Sequence, residues 1–408
     1  MKRPPREVVN RGTVATSSRT ILARFPVTIL LGVQVSAMIV APALLKGTEP
    51  LGLIVGICTV AVGVAWFFEL LAQPLKLPTN IARPVRTPAA VTIFTVGAVA
   101  TIVSTLGGRG AYAVQIGTAA ESPIASALGP FTLWMLFGAA LLLWQFSQGL
   151  ITRKAAYLTL GIAVLVSLWE GLSRAILGQS ASFVMTLMVM AVLTGLIRLR
   201  TIIITLALIP LLWPPIYELR DAIRSATSTN TFVSANAALE RLQLDTQFAL
   251  ISRLSPLPPG LQPPDFLSLF RIGLIPGFLD DPNRPILDTG PRLNVALGGS
   301  PLSSQSATML GNLYIFEGWL GVVVFAILLT LIMRYAINRD NPWALSFVAL
   351  IYWYGISFNA SYPDVIPKLL QASLSMLVAY VLVRLLSRPR PDTPAKTGRR
   401  HAAHFQRA

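Results

Sequence analysis

Seven arginines and no lysine stand in one stretch of this chain, Ile216–Met309: Arg220, Arg224, Arg241, Arg253, Arg271, Arg284 and Arg292. A planar guanidinium grips phosphate through two parallel hydrogen bonds and stays charged in apolar surroundings, where an ammonium is a poorer choice. Two more arginines occupy short loops, Arg109 in GGRGAY (Gly107–Tyr112) and Arg174 in EGLSRAILG (Glu170–Gly178). Together they predict a cationic cradle for a pyrophosphate carried at a membrane surface. The plainer alternative is ion pairing with Asp221, Glu240, Asp245, Asp265, Asp280, Asp281 and Asp288. Both histidines, His401 and His404, lie near the C-terminus, so a general base near these arginines has to be a carboxylate. Glu317, Glu170 and Glu218 stand near the ends of apolar runs, and Asp280 and Asp281 stand in the loop. Arginine supplies the charge without a metal, so neither a metal nor another cofactor is expected.

These residues need a scaffold, and composition says which kind. The 408 residues are 54% hydrophobic and only 12% charged, with a mean hydropathy of +0.65. A soluble chain carries about a quarter charged residues, so the reading is an all-α polytopic membrane protein. The net charge of +16 reflects membrane topology rather than nucleic-acid binding, because the basic residues gather at span ends and at both termini. The first apolar run follows a basic tail and is long enough to span, which does not fit a cleavable signal. Cys58 is the only cysteine and sits inside an apolar run, where it reads as packing.

Ten apolar runs approach the ~20 residues that cross a bilayer: 26–45, 51–71, 89–106, 128–148, 155–172, 181–197, 201–217, 310–333, 343–360 and 366–386. With both termini in the cytoplasm, 22 of the 33 Lys and Arg fall inside and 11 outside, seven of the latter in the insert. Long loops do not count in the charge rule. Excluding the insert leaves 22 against 4, which predicts an extracytoplasmic insert. The organisation is then a basic tail (1–24), seven spans (25–217), the extracytoplasmic loop (218–309), three spans (310–387) and a second basic tail (388–408). No internal repeat is visible.

Inside the insert, Asn236–Leu254 reads as a modestly amphipathic helix with Leu239, Leu242 and Ala249 on one face. The proline-rich stretch after it stops that helix, and Asp265–Ile272 predicts a short second one. Tyr314, Trp319, Tyr352, Trp353, Tyr354 and Tyr362 read as interfacial or packing aromatics.

LIPGFLDDPNRP (Leu274–Pro285), followed by SATMLGNLYIFEGWLGVV (Ser306–Val323), resembles the Wzy-type O-antigen (oligosaccharide repeat-unit) polymerases. The likeness is specific over about Arg241–Val323 and looser over most of the chain. It rests on the basic-Pro pair Arg284–Pro285, the Ser/Thr-rich return to the membrane, the G-x-LY-x-x-x-G-W-x-G pattern, and the elements carrying Arg241 and Arg174. What the resemblance implies is a GT-C-like membrane glycosyltransferase of a bacterial cytoplasmic membrane. It would join glycan units carried on polyprenyl pyrophosphate, with a chain-length regulator and a flippase as partners and no nucleic acid. The pyrophosphate would then fall to Arg174, Arg284 and Arg292, with Arg109, Arg271 and Arg241 in support, and the motif adds Gln305 and Asn312 as substrate contacts. Glu317, Asp280, Asp281, Glu170 and Glu218 are the candidate catalytic carboxylates.

Two other readings stay open. An O-antigen ligase would share the span layout and the large outer loop, but usually carries a histidine there. A flippase or other transporter would line the middles of several helices with polar side chains, whereas Glu69 and Gln145 stand near span ends.

Overall fold

The computed structural model describes residues 21–71, 85–115, 119–175, 177–225, 243–254, 257, 261–275, 289–298, 308–337, 341–356 and 361–387. All regular structure among them is helical: α1 Pro26–Lys46, α2 Leu51–Leu71, α3 Thr87–Leu106, α4 Pro123–Ser147 with a break at Leu133, and α5 Arg153–Ser173. Next come α6 Leu177–Leu193, α7 Leu199–Ser225, α8 Phe266–Leu274, α9 Thr289–Ala296, α10 Thr308–Ile337, α11 Pro342–Gly355 and α12 Tyr362–Leu386. Seven of these (α1–α5, α10 and α12) are long and apolar enough to cross a membrane. The chain is therefore an all-α, multi-pass membrane protein. The other three apolar runs of the sequence are also helical, as α6, α7 and α11.

Two buried cores build the bundle. In the first, α1, α2 and α10 meet around Ile54, Ile57, Ala61, Val322 and Met333. In the second, α3, α4, α5 and α6 pack with α11 and α12 around Ile93, Phe137, Leu141 and Leu187. In a bilayer, helices associate by close packing rather than by hydrophobic driving force, so small residues mark the contacts. The α3–α4 contact is the plainest case. A Cβ on Gly97 would lie 1.9 Å from the Met135 nitrogen, and one on Gly138 would lie 2.4 Å from the Phe94 backbone. The two helices touch main chain to main chain.

At the end of the bundle that carries the tails, Glu69 of α2 and Arg334 of α10 are both buried. The Glu69 carboxylate accepts the backbone N–H groups of Val27 (2.7 Å) and Thr28 (3.2 Å), which are donors in the first turn of α1 that no residue of α1 can satisfy. Arg334 Nη1 donates to the carbonyls of Arg24 (2.9 Å) and Glu69 (2.7 Å). One acid and one base thereby join the ends of three helices.

The insert enters the bundle from the opposite end. Helix α1 opens into a π-turn at Ser36–Val40, and Pro42 has no N–H to return to the Met38 carbonyl one turn earlier. The Leu244 N–H of the insert occupies that carbonyl at 2.7 Å. Leu244 leads into the helical turns Asp245–Phe248 and Ala249–Ser252, and Leu244, Phe248 and Ile251 are buried in the first core. Asp245, fully buried, receives Thr48 Oγ1 at 2.6 Å and Lys46 Nζ at 3.4 Å. The amphipathic helix expected over Asn236–Leu254 is thus shorter within its described part and inward-facing, with residues 236–242 outside the described segments. The expected second helix forms as α8, capped by Asp265, whose carboxylate accepts the Ser268 N–H at 2.9 Å.

Helix α10 also departs from a simple span. Gly318 holds φ 64° and ψ −155°, a conformation open essentially to glycine alone. Leu310 and Phe325 would lie roughly 22 Å apart on a straight helix, yet they line one small cavity with Thr308 and Gly355. The chain therefore doubles back at Gly318. An inner arm, 308–317, rises to the insert end, and 319–337 runs down the bundle.

Two outcomes follow. Gly138→Ile wedges α3 from α4 and abolishes accumulation of folded protein in membranes, whereas Gly63→Ala, whose methyl meets open space, leaves it unchanged. Arg334→Leu strands the carbonyls of Arg24 and Glu69 and costs about 3–5 kcal/mol, read as a lowered midpoint in thermal unfolding of detergent-solubilised protein; Glu69→Gln, which keeps one acceptor, costs less.

Candidate functional site

Two polar clusters form, one at the ends of α3, α4 and α5 and the other where described parts of the insert meet α10 and α12. The first is built by the loop after α3, the start of α4 and the end of α5. Arg109 follows a Gly107–Gly108 turn, with Gly108 at φ 82° and its own N–H bonded to Ser104 O (3.0 Å). Its guanidinium Nη1 donates to the Ser126 carbonyl at 3.0 Å and approaches that of Ala125 at 3.4 Å. The chemistry of proline explains this seat, because Pro130 lacks the N–H that would bond Ser126 O inside α4. Gly129 completes it: a Cβ there would fall 1.7 Å from Arg109 Nη1.

Arg174 caps the C-terminal end of α5, where a cation also faces the helix dipole favourably. It bonds Glu170, one turn back, at 2.7 Å, and lies against Gly110, whose Cβ would come 3.5 Å from Nη1. Burial lowers the Arg174 guanidinium from its ordinary value, Glu170 opposes that, and Arg109 and Glu121 act on it more weakly. An arginine so placed stays cationic. Glu121 completes the group, 3.9 Å from Arg109 Nη1 and accepting Ser126 Oγ at 2.7 Å. The cluster holds two cations and two carboxylates and is formally neutral, so an incoming anion competes with Glu170 and Glu121 for the two arginines.

The second cluster lies at the apex of α10. Glu317, exposed at the turn-back, receives the Tyr362 hydroxyl. The Tyr362 ring stacks on Phe266 (centroids 6.3 Å apart) and meets the edge of Phe316 (5.9 Å). Arg292 of α9 lines a narrow cleft with Gln262, Pro263, Pro264, Thr289 and Phe316. Thr289 Oγ1 donates to Asp364 at 3.1 Å, tying α9 to the first turn of α12.

The expected site residues therefore divide. Arg109, Arg174 and Glu170 come together, and Arg292 comes to the residues flanking Glu317. Glu218 is exposed on α7 and Arg271 is exposed on α8. Asn312 is fully buried on the inner arm of α10, away from the exposed arginines. Asp280, Asp281, Arg284, Arg241 and Gln305 lie outside the described residues. Asp221 follows the plainer alternative and bonds its neighbour Arg220 (2.9 Å from Nε), whose guanidinium also covers the Tyr217 ring at 3.3 Å. Asp245 is likewise structural, though its cation is Lys46. Sequence reasoning missed Glu121, Gly129 and Asp364; it read Tyr362 as a packing or interfacial aromatic, without its bond to Glu317. The first two carried a signal, since an acid and a glycine flank the start of a proline-containing helix beside a loop arginine.

Comparison of the chain with family models, with curated proteins and with solved structures finds no match.

The Arg174–Glu170 contact is mostly shielded from solvent, with side chains 12% and 21% exposed. A double-mutant cycle of Glu170→Gln and Arg174→Met, read by thermal unfolding, should give a coupling of roughly 0.5–3 kcal/mol; an additive cycle would show that the contact contributes nothing to the fold.

Proposed function

We propose that this chain is a membrane glycosyltransferase that polymerises polyprenyl-pyrophosphate-linked oligosaccharide repeat units into a cell-surface polysaccharide. The reaction would take place on the outer face of a bacterial cytoplasmic membrane. The observation that carries the reading is the convergence of Arg109 and Arg174 at the ends of α3 and α5. The charge asymmetry of the loops supports the orientation, and the sequence resemblance supports the substrate class.

In this reaction an acceptor hydroxyl oxygen attacks the anomeric carbon of the donor glycan while the bond from that carbon to the pyrophosphate oxygen breaks. Positive charge grows on the sugar and negative charge on the departing polyprenyl pyrophosphate. Fixed guanidinium groups aimed at the leaving group lower that barrier, and the hydroxyl proton passes to a carboxylate. We assign this role to Glu317, which is exposed at the turn of α10 and accepts the Tyr362 hydroxyl. Glu170 serves differently, holding Arg174 until the phosphate replaces it.

Removing one such cation costs about 2–4 kcal/mol of transition-state stabilisation. In cells lacking their own copy of this gene, complementation with Arg174→Ala or Arg109→Ala should shift surface polysaccharide from long chains to single repeat units. Gly129→Ala, which keeps every charge but displaces the Arg109 guanidinium, should do the same. Normal chain lengths from all three variants overturn the assignment. In the deletion itself, single lipid-linked units accumulating outside support a polymerase. Accumulation inside points to a flippase, and full-length polymer left on its lipid points to a ligase.

A further inference from the structure

The helix α8 belongs to the insert, yet its contacts place it on the lipid side of the bundle. Its inward face is held by α12: Leu269, Ile272 and Gly273 are buried, a Cβ on Gly273 would lie 3.0 Å from Pro367 Cα and 2.7 Å from Leu370 Cδ1, and Gln371 Nε2 reaches Ile272 O at 3.5 Å. Phe266, at the other end of α8, stacks on Tyr362, the first residue of α12. The two helices thus run side by side in the same direction, down from the insert end. Pro367, Leu370 and Gln371 continue at helical spacing into Leu374, Leu377, Val378 and Val381, all 42–55% exposed, which is the lipid-facing stripe of α12. So α8 covers the upper part of the face that lipid covers below.

The outward face of α8 is apolar. Phe266, Leu267, Phe270 and Leu274 fall within about 100° of one another around the helix and are 60%, 81%, 45% and 48% exposed. Water is a poor neighbour for such a stripe. Arg271 borders it, and Lys368 of α12 is exposed at the same level, one residue before the charge-free stretch of α12 that ends at Arg384. Apolar side chains with cations at their margin are the pattern of a helix seated at the headgroup–acyl boundary.

We propose that α8 is a half-depth membrane wedge: its Phe266–Leu267–Phe270–Leu274 stripe is immersed among the lipid acyl chains of the leaflet on the insert's side. The occupant of this surface is bilayer lipid, because the stripe continues the lipid-facing side of α12. The wedge pins the insert to the membrane and holds the neighbouring Gln262–Thr289–Arg292 cleft at headgroup level, where ligands arrive by lateral diffusion. The inference is independent of the glycan chemistry proposed above.

The test uses the full chain with Cys58→Ala, so that introduced thiols are the only ones. Phe270→Cys, Leu274→Cys and, as a control from the loop before α8, Gln262→Cys each carry an environment-sensitive fluorophore in phosphatidylcholine vesicles. A nitroxide on carbon 5 of the lipid acyl chain should quench the probes at 270 and 274 at least twofold more than the probe at 262. Aqueous iodide should show the reverse order. Iodide reaching 270 and 274 as freely as 262 overturns the wedge. Protection of both from both quenchers means that protein covers the stripe, and also overturns it. Leu267→Cys, on the same stripe, decides the question should either labelled variant fail to fold.

Discussion

A backbone carbonyl without a donor is the costliest ordinary feature a chain can leave inside hydrocarbon, and prolines in helices create such carbonyls. This bundle puts two of them to use as attachment points. Pro42 leaves Met38 O to be taken by the Leu244 N–H of the insert, and Pro130 leaves Ser126 O to be taken by the Arg109 guanidinium. In each case an element from outside the helix, the insert or the Arg109 loop, is fastened by a bond that the helix could not make for itself. Glu69 and Arg334 obey the same constraint at the tail end, satisfying the first donors of α1 and a last-turn carbonyl of α2. A buried charge is tolerable there because main-chain dipoles of helix ends partner it, rather than a lone counter-ion.

The consequence for the described parts of the insert is that they are built into the bundle. Leu244, Phe248 and Ile251 are as buried as the spans they touch, α8 lies along α12, and Thr289 of α9 reaches Asp364. The turn-back of α10 at Gly318 then lifts Glu317 to the level of these elements, under the same aromatic group, Phe266, Phe316 and Tyr362, that joins α8 to α12. Rigid elements at that level make a more precise platform than a free loop would, and under the proposed function that precision serves oriented group transfer.

How much of this was legible in the sequence depends on range. Apolar runs predicted the helices to within a few residues, as at Leu51–Leu71 and Thr87–Leu106, because twenty apolar residues in a row have few other fates. The capping Asp265 and the helix after it were also readable, since the partner Ser268 is three residues away. Reading failed where the partner is distant. Pro42 is visible at once, but nothing local says that Leu244 answers it some 200 residues later. Gly318 reads as part of one span because apolar runs lie on either side of the Glu317–Gly318 pair; only the cavity shared by Leu310 and Phe325 shows the reversal. The arginines were found by type, while Glu121, which offsets the charge of Arg109, was not, since an acid in a short loop looks like any other.

That missed acid changes the physical account of the first cluster. Read from sequence, Arg109 and Arg174 are surplus positive charge waiting for an anion. In the structure each faces a carboxylate, Glu121 at 3.9 Å and Glu170 at 2.7 Å. Two bare guanidinium groups brought to one site would repel one another; the two acids offset that cost in the resting protein. Under the proposed function, the arriving pyrophosphate exchanges places with carboxylates, trading one set of charge-assisted bonds for another. The net gain on ground-state binding is then small. What remains is the charge that builds on the leaving group as the sugar bond breaks, which the carboxylates cannot mimic and the guanidinium groups meet only in the transition state. A balanced cluster of this kind favours turnover over tight binding of the polyprenyl pyrophosphate that must leave after every cycle.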